Sequence, residues 1–192
     1  IYDNELKKFI HLAAKKSVEE SFLKEEVYYD NNTKGLISLL NILQDIDNTT
    51  LIFSSSACVY NLANSAPFKE SDELLPSSPY GKSKLECEKL LNKFYNLSAN
   101  TSISVLRYFN PVGVHSSGKI SLYNKSEFNN IFNMIDKVLK KELPELPIFG
   151  NDYNTIDGTC VRDYFDIADL AKVHIKLLDL LRHEKDFLIV NL

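Results

Sequence analysis

Glycine is scarce and scattered. The six glycines (35, 81, 113, 118, 150 and 158) stand alone, and nowhere do they cluster into a turn that wraps backbone N–H groups around a phosphate. Cysteine is nearly as sparse. Cys58, Cys87 and Cys160 are odd in number and far apart, which argues against a disulfide or thiolate–metal framework and suits reduced thiols in the cytoplasm. No second His, Cys or acid stands at metal-ligand spacing from His11. Long apolar runs are missing too: stretches such as Phe187-Leu188-Ile189-Val190 are strand-sized, so no membrane span is expected. The opening residues lack the pattern of a signal peptide. Acids and bases are interspersed at a net charge of −4, with no basic stripe to follow a phosphodiester backbone, so nucleic acid is not expected as a partner. Internal repeats and low-complexity linkers are absent. Asn-x-Ser/Thr triplets at Asn96 and Asn100 are read as chance occurrences in an Asn- and Ser-rich chain.

What remains is enough for one sizeable core: 192 residues, 44% of them hydrophobic. Residues 7–14 predict a short strand running into a small-residue turn, where backbone can approach a ligand. His11 reads there as a packed histidine, and Lys16 by itself as a solvated charge. Val27 to Leu43 predicts a helix, with Leu36, Leu39, Leu40 and Leu43 on one side and Ile37 and Ile42 flanking them. Asn31-Asn32 weakens that helix locally, which points to a task for one of the amides. Thr50-Leu51-Ile52-Phe53 predicts a strand buried on both faces. It ends in Ser54-Ser55-Ser56, at the edge where open α/β sheets bind ligands.

An irregular loop covers 61–79, and Ser102–Tyr108 predicts the next strand, leading into Phe109-Asn110-Pro111-Val112-Gly113. Residues 114–127 read as a polar loop. A helix follows at 130–141 and a short strand at 146–150. Asp163 to Leu181 predicts a helix with Ile167, Leu170, Ala171, His174, Leu178 and Leu181 on one face, His174 at the edge of the core. Phe187–Leu192 predicts a last strand. Strands alternating with helices give an α/β fold with a largely parallel sheet.

The chemistry concentrates at Ser77-Ser78-Pro79-Tyr80-Gly81-Lys82-Ser83-Lys84. Pro79 suits a first helical turn and Ser78 an N-cap, so Tyr80 and Lys84 share a helix face one turn apart. Leu85, Leu90, Leu91 and Phe94 form the expected buried stripe; Glu86, Glu88, Lys89 and Lys93 the expected wet face. A free phenol ionises near pH 10, and a neighbouring ammonium together with the positive helix end favours its phenolate. The expectation is therefore a tyrosine acidified by Lys84 into a general base. Tyr-x-x-x-Lys alone also fits a plain surface helix. The serine-rich strand end upstream and Arg107-Tyr108-Phe109-Asn110-Pro111 downstream tip the balance towards a catalytic site.

Six strings carry a resemblance, in order along nearly the whole chain: Ile-His-Leu-Ala-Ala (10–14), Tyr-Tyr-Asp-Asn-Asn (28–32), Phe-Ser-Ser-Ser-Ala-Cys-Val-Tyr (53–60), Ser-Pro-Tyr-Gly-Lys-Ser-Lys (78–84), Leu-Arg-Tyr-Phe-Asn-Pro-Val-Gly (106–113) and Ile-Phe-Gly-Asn-Asp-Tyr…Asp-Gly-Thr-Cys-Val-Arg-Asp-Tyr (148–164). Together they resemble the UDP-glucose 4-epimerase branch of the extended short-chain dehydrogenase/reductases. The resemblance implies a Rossmann-like, doubly wound parallel α/β sheet, incomplete at its N-terminal side. Residues 1–113 would be part of an NAD-binding domain, and 114–192 interleaved Rossmann elements with part of a smaller UDP-sugar-binding domain.

By the same resemblance Tyr80 is the base, Lys84 its electrostatic partner and Ser56 the hydroxyl that orients the sugar. Leu12, Ala13, Lys16, Asn31 and Phe109, with Ser56, Tyr80 and Lys84, would line an NAD site. Asn110, Asn130, Ile131, Ile148, Phe149 and Arg162, with Ser56 and Tyr80, would hold a UDP-sugar, Arg162 facing the diphosphate. The implied reaction is transient oxidation at C4 to a 4-keto sugar, interconverting UDP-glucose and UDP-galactose in galactose metabolism, with NAD regenerated. A cytoplasmic homodimer pairing helices at 33–44 and 84–95 is also implied.

Departures from the family pattern set further expectations. The glycine-rich cofactor turn and the acid that reads the adenine ribose are missing, so the 192 residues read as a fragment that binds NAD weakly or not at all. A sheet cut at one side exposes a strand edge, so poor solubility is expected. The loop between Gly118 and Asn129 differs from the family's, and Asp166 stands where a histidine is expected. Two rivals remain. A nucleotide-sugar dehydratase or decarboxylase would usually carry an acid where Ala57 stands, and a non-catalytic module would use the fold without the chemistry.

Overall fold

A computed structural model of the chain describes residues 7–63, 66–117, 119, 131–181 and 185–192. In chain order the elements are strand β1 (Lys8–His11), helix α1 (Val18–Leu23), helix α2 (Glu25–Tyr28), a π-helical turn (Tyr29–Lys34), helix α3 (Gly35–Leu43) and strand β2 (Thr50–Ser56). A 3-10 turn (Ala57–Val59), helix α4 (Pro79–Leu97), strands β3 (Ser102–Tyr108) and β4 (Asn110–Val112) and helix α5 (Ile131–Leu139) follow. Strand β5 (Tyr164–Asp166), helix α6 (Ile167–Leu180) and strand β6 (Phe187–Asn191) complete the order.

The main sheet runs β1-β2-β3-β6, every pair parallel. β2 is buried along nearly its whole length, which is why it reads as a continuous apolar run rather than an alternating one. Its side chains still alternate. Leu51 and Phe53 join Leu36, Leu40, Leu43, Cys87, Leu91, Ile103 and Val105 under α3 and α4. Ile52 joins Leu106 and Leu177 under α6. Helices therefore cover both faces, the doubly wound α/β arrangement the sequence predicts. β2 and β3 stay in register to their ends, setting Ser54 beside Leu106, Ser55 beside Arg107 and Ser56 beside Tyr108.

Four expectations need correction. The run at 146–150 is not a strand: Pro147 has no N–H to give a ladder, and Ile148 and Phe149 are 71% and 74% exposed. A two-stranded parallel pair forms instead between β4 and β5, with Pro111 opposite Phe165. Helix α6 begins at Ile167, not Asp163. Asp166 caps it, its Oδ1 accepting from the N–H groups of Ala168 (2.8 Å) and Asp169 (3.2 Å), which gives the aspartate at that position a structural task. On α4 the buried stripe is centred on Cys87 and Leu91, with Leu85, Leu90 and Phe94 half-buried. Glu88, expected on the wet face, is 5% exposed. The expected helix start at 130 and the loop between Gly118 and Asn129 lie, apart from Lys119, outside the described residues.

Candidate active site

The carboxyl end of β2 and the first turns of α4 meet at one place. Pro79 occupies the first turn, and Ser78 caps the helix by accepting from the Gly81 N–H at 3.1 Å. Gly81 is required there because a Cβ would run into the Cys58 carbonyl and lie 2.9 Å from Pro76 Cβ. The missing side chain lets α4 sit directly on the turn that follows β2. Tyr80 is buried, its ring edge-on to Tyr28 at 6.4 Å, with the Ser56 side chain close enough to its phenol to favour ionisation slightly. Ser56 Oγ also accepts from the Cys58 N–H at 3.2 Å.

Lys84 lies one turn further along, also buried. Its ammonium donates to the Ser54 carbonyl at 2.6 Å and sits 4.8 Å above the Phe53 ring.

The electrostatics differ from the sequence expectation. Burial pushes the Tyr80 phenol up to about 12, against a smaller opposing effect of the Ser56 side chain. Burial also pulls Lys84 down to about 8. Lys84 does not acidify Tyr80 in the chain by itself, because desolvation dominates both groups and the ammonium is spent on Ser54 and Phe53. Cys87, below them, is likewise held protonated, at about 11, by burial.

Lys84 therefore has a measurable signature. Its pKa is lower in the fold than the ordinary 10.5, so unfolding takes up a proton between pH 8 and 10.5. The stability linked to its neutral form is present above 10.5 and lost as pH falls through 8. Urea unfolding of the parent and of Lys84→Met is expected to show the parent gaining on the variant by about 2–3 kcal/mol across that window. A difference that does not change with pH would contradict the burial.

The paired asparagines have the task the sequence hinted at. The helix widens into the π turn and buries Asn32, whose amide donates to the Lys15 carbonyl (3.0 Å) and Ser83 Oγ (3.1 Å) and accepts from the Lys15 N–H (2.8 Å). Asn31, exposed, accepts from the same N–H at 3.2 Å. Ser83 in turn donates to the Tyr80 carbonyl at 2.7 Å. The segment after β1 is thereby tied to the first turn of α4.

The remaining predicted residues are placed as follows. Leu12, Ala13 and Lys16 lie exposed just past the carboxyl end of β1. Phe109 is half-buried among Tyr60 and Phe68, with ring centroids 6.5 and 6.2 Å away. Asn110 Nδ2 donates to the Asp163 carbonyl at 2.7 Å, beside an exposed Arg162. Ile131 is exposed at the start of α5, and Ile148 and Phe149 are exposed in coil. Asn130 lies outside the described residues. The structure thus gathers Tyr80, Ser56 and Lys84 tightly, with Asn31 bound to the segment that follows β1. It leaves Arg162, Ile148 and Phe149 open to solvent.

Two groups escaped the sequence reading. Tyr108 hydrogen-bonds His174, its hydroxyl 2.6 Å from Nε2. His174 Nδ1 lies 2.8 Å from the Leu170 carbonyl, which can only accept, so Nδ1 carries the proton and the Tyr108 hydroxyl donates to Nε2. The other group is Glu88 with Arg107. Arg107 Nε and Nη2 grip the two carboxylate oxygens at 3.1 and 2.7 Å, and Ser55 Oγ donates to Oε1 at 2.5 Å.

A nicotinamide nucleotide fits this donor set in part. A buried ammonium, a phenol and hydroxyls converge at a parallel strand end, beside exposed backbone at Leu12 and Ala13. No clustered glycine turn for its pyrophosphate stands anywhere in the 192 residues.

Comparison with known proteins agrees with the geometry. The chain is 41% identical over 185 residues to a UDP-glucose 4-epimerase of Pasteurella multocida, covering 96% of this chain and 54% of that one. It is 43% identical over 169 residues to UDP-glucose 4-epimerase 4 of Oryza sativa subsp. japonica, covering 88% and 46%. The chain spans about half the length of these relatives. Among solved structures it superposes at a TM-score of 0.90 and 39% identity on the UDP-glucose-4-epimerase of Stenotrophomonas maltophila, solved with bound NAD and formylated UDP-arabinopyranose; 97% of this chain and 55% of that one are covered. The Bifidobacterium longum enzyme, in complex with NAD+ and UDP, matches at 0.87 and 38%, over 98% and 56%. Residues 1–192 match the NAD dependent epimerase/dehydratase family throughout, and the chain belongs to that family.

Proposed function

We propose that the protein carrying this chain interconverts UDP-glucose and UDP-galactose by transient oxidation at C4, with Tyr80 as the proton acceptor. The observation that carries the reading is the convergence of Tyr80, Ser56 and Lys84 where β2 ends against α4. Relatives about 40% identical that are UDP-glucose 4-epimerases support it. NAD, when bound, supplies a reversible two-electron acceptor for C4.

The chain's own residues do the rest. Ser56 orients the sugar hydroxyl and the phenol together. Tyr80 takes the hydroxyl proton and later returns it, so no proton is gained or lost overall. A phenol held near 12 with Lys84 already in place needs further positive charge beside it to act near neutrality, which the oxidised nicotinamide of NAD would supply. Lys84, Asn31 and the backbone at Leu12–Ala13 would hold the nicotinamide side of NAD, with Lys16 and Phe109 beside it. Asn110, Asn130, Ile131, Ile148, Phe149 and Arg162 would receive the UDP-sugar.

The two-part organisation, 1–113 on the cofactor side and 114–192 interleaved, belongs to the same reading. So does a cytoplasmic homodimer, which three free cysteines and an exposed Ile42 on α3 support. No helix among the described residues is long and apolar enough to cross a membrane.

Product analysis tests the reaction. The whole protein incubated with UDP-galactose and NAD is expected to give UDP-glucose alone, approaching equilibrium from either side. Loss of water or a net redox change would exclude epimerisation in favour of the dehydratase class, which Ala57 next to Ser56 already disfavours.

A further inference from the structure

We propose that Glu88, Arg107 and Ser55 form a positioning clamp for the reaction, fixing the register of α4 against the end of β2. The proposal rests on the reading of Tyr80 as the base. Helix α4 presents Tyr80, Lys84 and Glu88 at four-residue steps, and therefore on one face. Strand β2 answers with three consecutive serines: Ser56 at Tyr80, the Ser54 carbonyl at Lys84, and Ser55 Oγ at Glu88. The last of these contacts is secured from a second strand. Arg107 of β3, opposite Ser55 in the ladder, holds both Glu88 oxygens in a planar fork.

The fork is itself braced. Arg107 Nη1 donates to the Tyr60 hydroxyl and to the Glu70 carbonyl, both at 2.9 Å. Tyr60 donates onward to Asn191 Oδ1 at 2.6 Å, and the Asn191 N–H reaches Glu70 Oε1 at 2.9 Å. Glu70 thus bonds the guanidinium directly, and β6 is tied to it through the Tyr60 hydroxyl.

Buried ion pairs seldom stabilise a fold more than apolar side chains of the same shape, but they tolerate little displacement. A one-residue slip of α4 moves it about 1.5 Å and turns it about 100°, which breaks the fork and the Ser55 bond together. Tyr80 and Lys84, on the same rigid helix, inherit that register. Displacement of a reacting group by about 1 Å can cost about 10²-fold in rate.

The test compares Ser55→Ala and Glu88→Gln with the parent in the whole protein, on UDP-galactose with saturating NAD. Ser55→Ala removes one hydrogen bond and leaves the ion pair in place, so it keeps the test open if Glu88→Gln fails to fold. Expected are a kcat lowered about tenfold by Ser55→Ala and about 10²-fold by Glu88→Gln, a KM within about twofold, and a displaced acid limb of the kcat–pH profile. If well below the melting temperature kcat and the pH profile match the parent's while only the melting temperature falls, the clamp is merely structural and the proposal is overturned. Retained turnover in Tyr80→Phe would instead overturn the base reading, and the clamp with it. Unchanged Ser55→Ala kinetics beside an inactive Tyr80→Phe would overturn the clamp alone.

Discussion

Tyr80→Phe in the whole protein is expected to lower kcat for UDP-galactose by about 10³-fold while leaving KM within a few-fold. The substitution removes one oxygen and keeps the ring that packs against Tyr28, so the fold at the start of α4 is retained. What is lost is the phenol that lies beside Ser56 and shares a helix face with Lys84. Tyr108 does not replace it, because its hydroxyl is committed to His174. Steady-state turnover checks this directly, and a variant keeping more than a tenth of parental kcat would remove Tyr80 from the chemistry.

Arg107→Met is expected to be the most destabilising single change in the described part of the chain, by about 3–5 kcal/mol. The cost comes from Glu88, left charged and buried with one serine hydroxyl for company. Combining Arg107→Met with Glu88→Leu is expected to recover most of the loss, because no uncompensated charge then remains. Denaturant unfolding of the two variants checks both statements. A single variant within about 1 kcal/mol of the parent would mean that the carboxylate finds water or another cation.

The main strands were legible because their physics is local. A short continuous apolar run such as Thr50-Leu51-Ile52-Phe53 fits a doubly buried strand, and Ser78-Pro79 marks the start of α4. Helix α1 was legible in principle and missed. Ser17-Val18-Glu19-Glu20 has the spacing of a capping box, and Ser17 does accept from the Glu20 N–H, but six residues are too few to show a period.

Glu88 was misread because charge alone suggests solvent. Two signals pointed elsewhere: its four-residue spacing from Lys84, and an arginine in a buried strand, one residue before its end, which demands a carboxylate. The β4–β5 pair was not legible, since two three-residue strands, one of them holding a proline, carry no pattern. Nor could spacing reveal that Lys84 would turn to the Ser54 carbonyl and leave Tyr80 to desolvation. Sequence gives proximity along a helix, whereas ionisation follows from burial.

Tyr80 is a buried phenol, protonated in the protein by itself, and positive charge added beside it lowers its pKa so that the phenolate can act as the base. Titrating the ring carbon of labelled tyrosines by NMR, with Tyr80 assigned through Tyr80→Phe, measures this without turnover. Without NAD the midpoint is expected at about 12, and with NAD bound to the whole protein at least about two units lower. A midpoint near the ordinary 10 in the first state, or one that NAD leaves unmoved, would contradict the account.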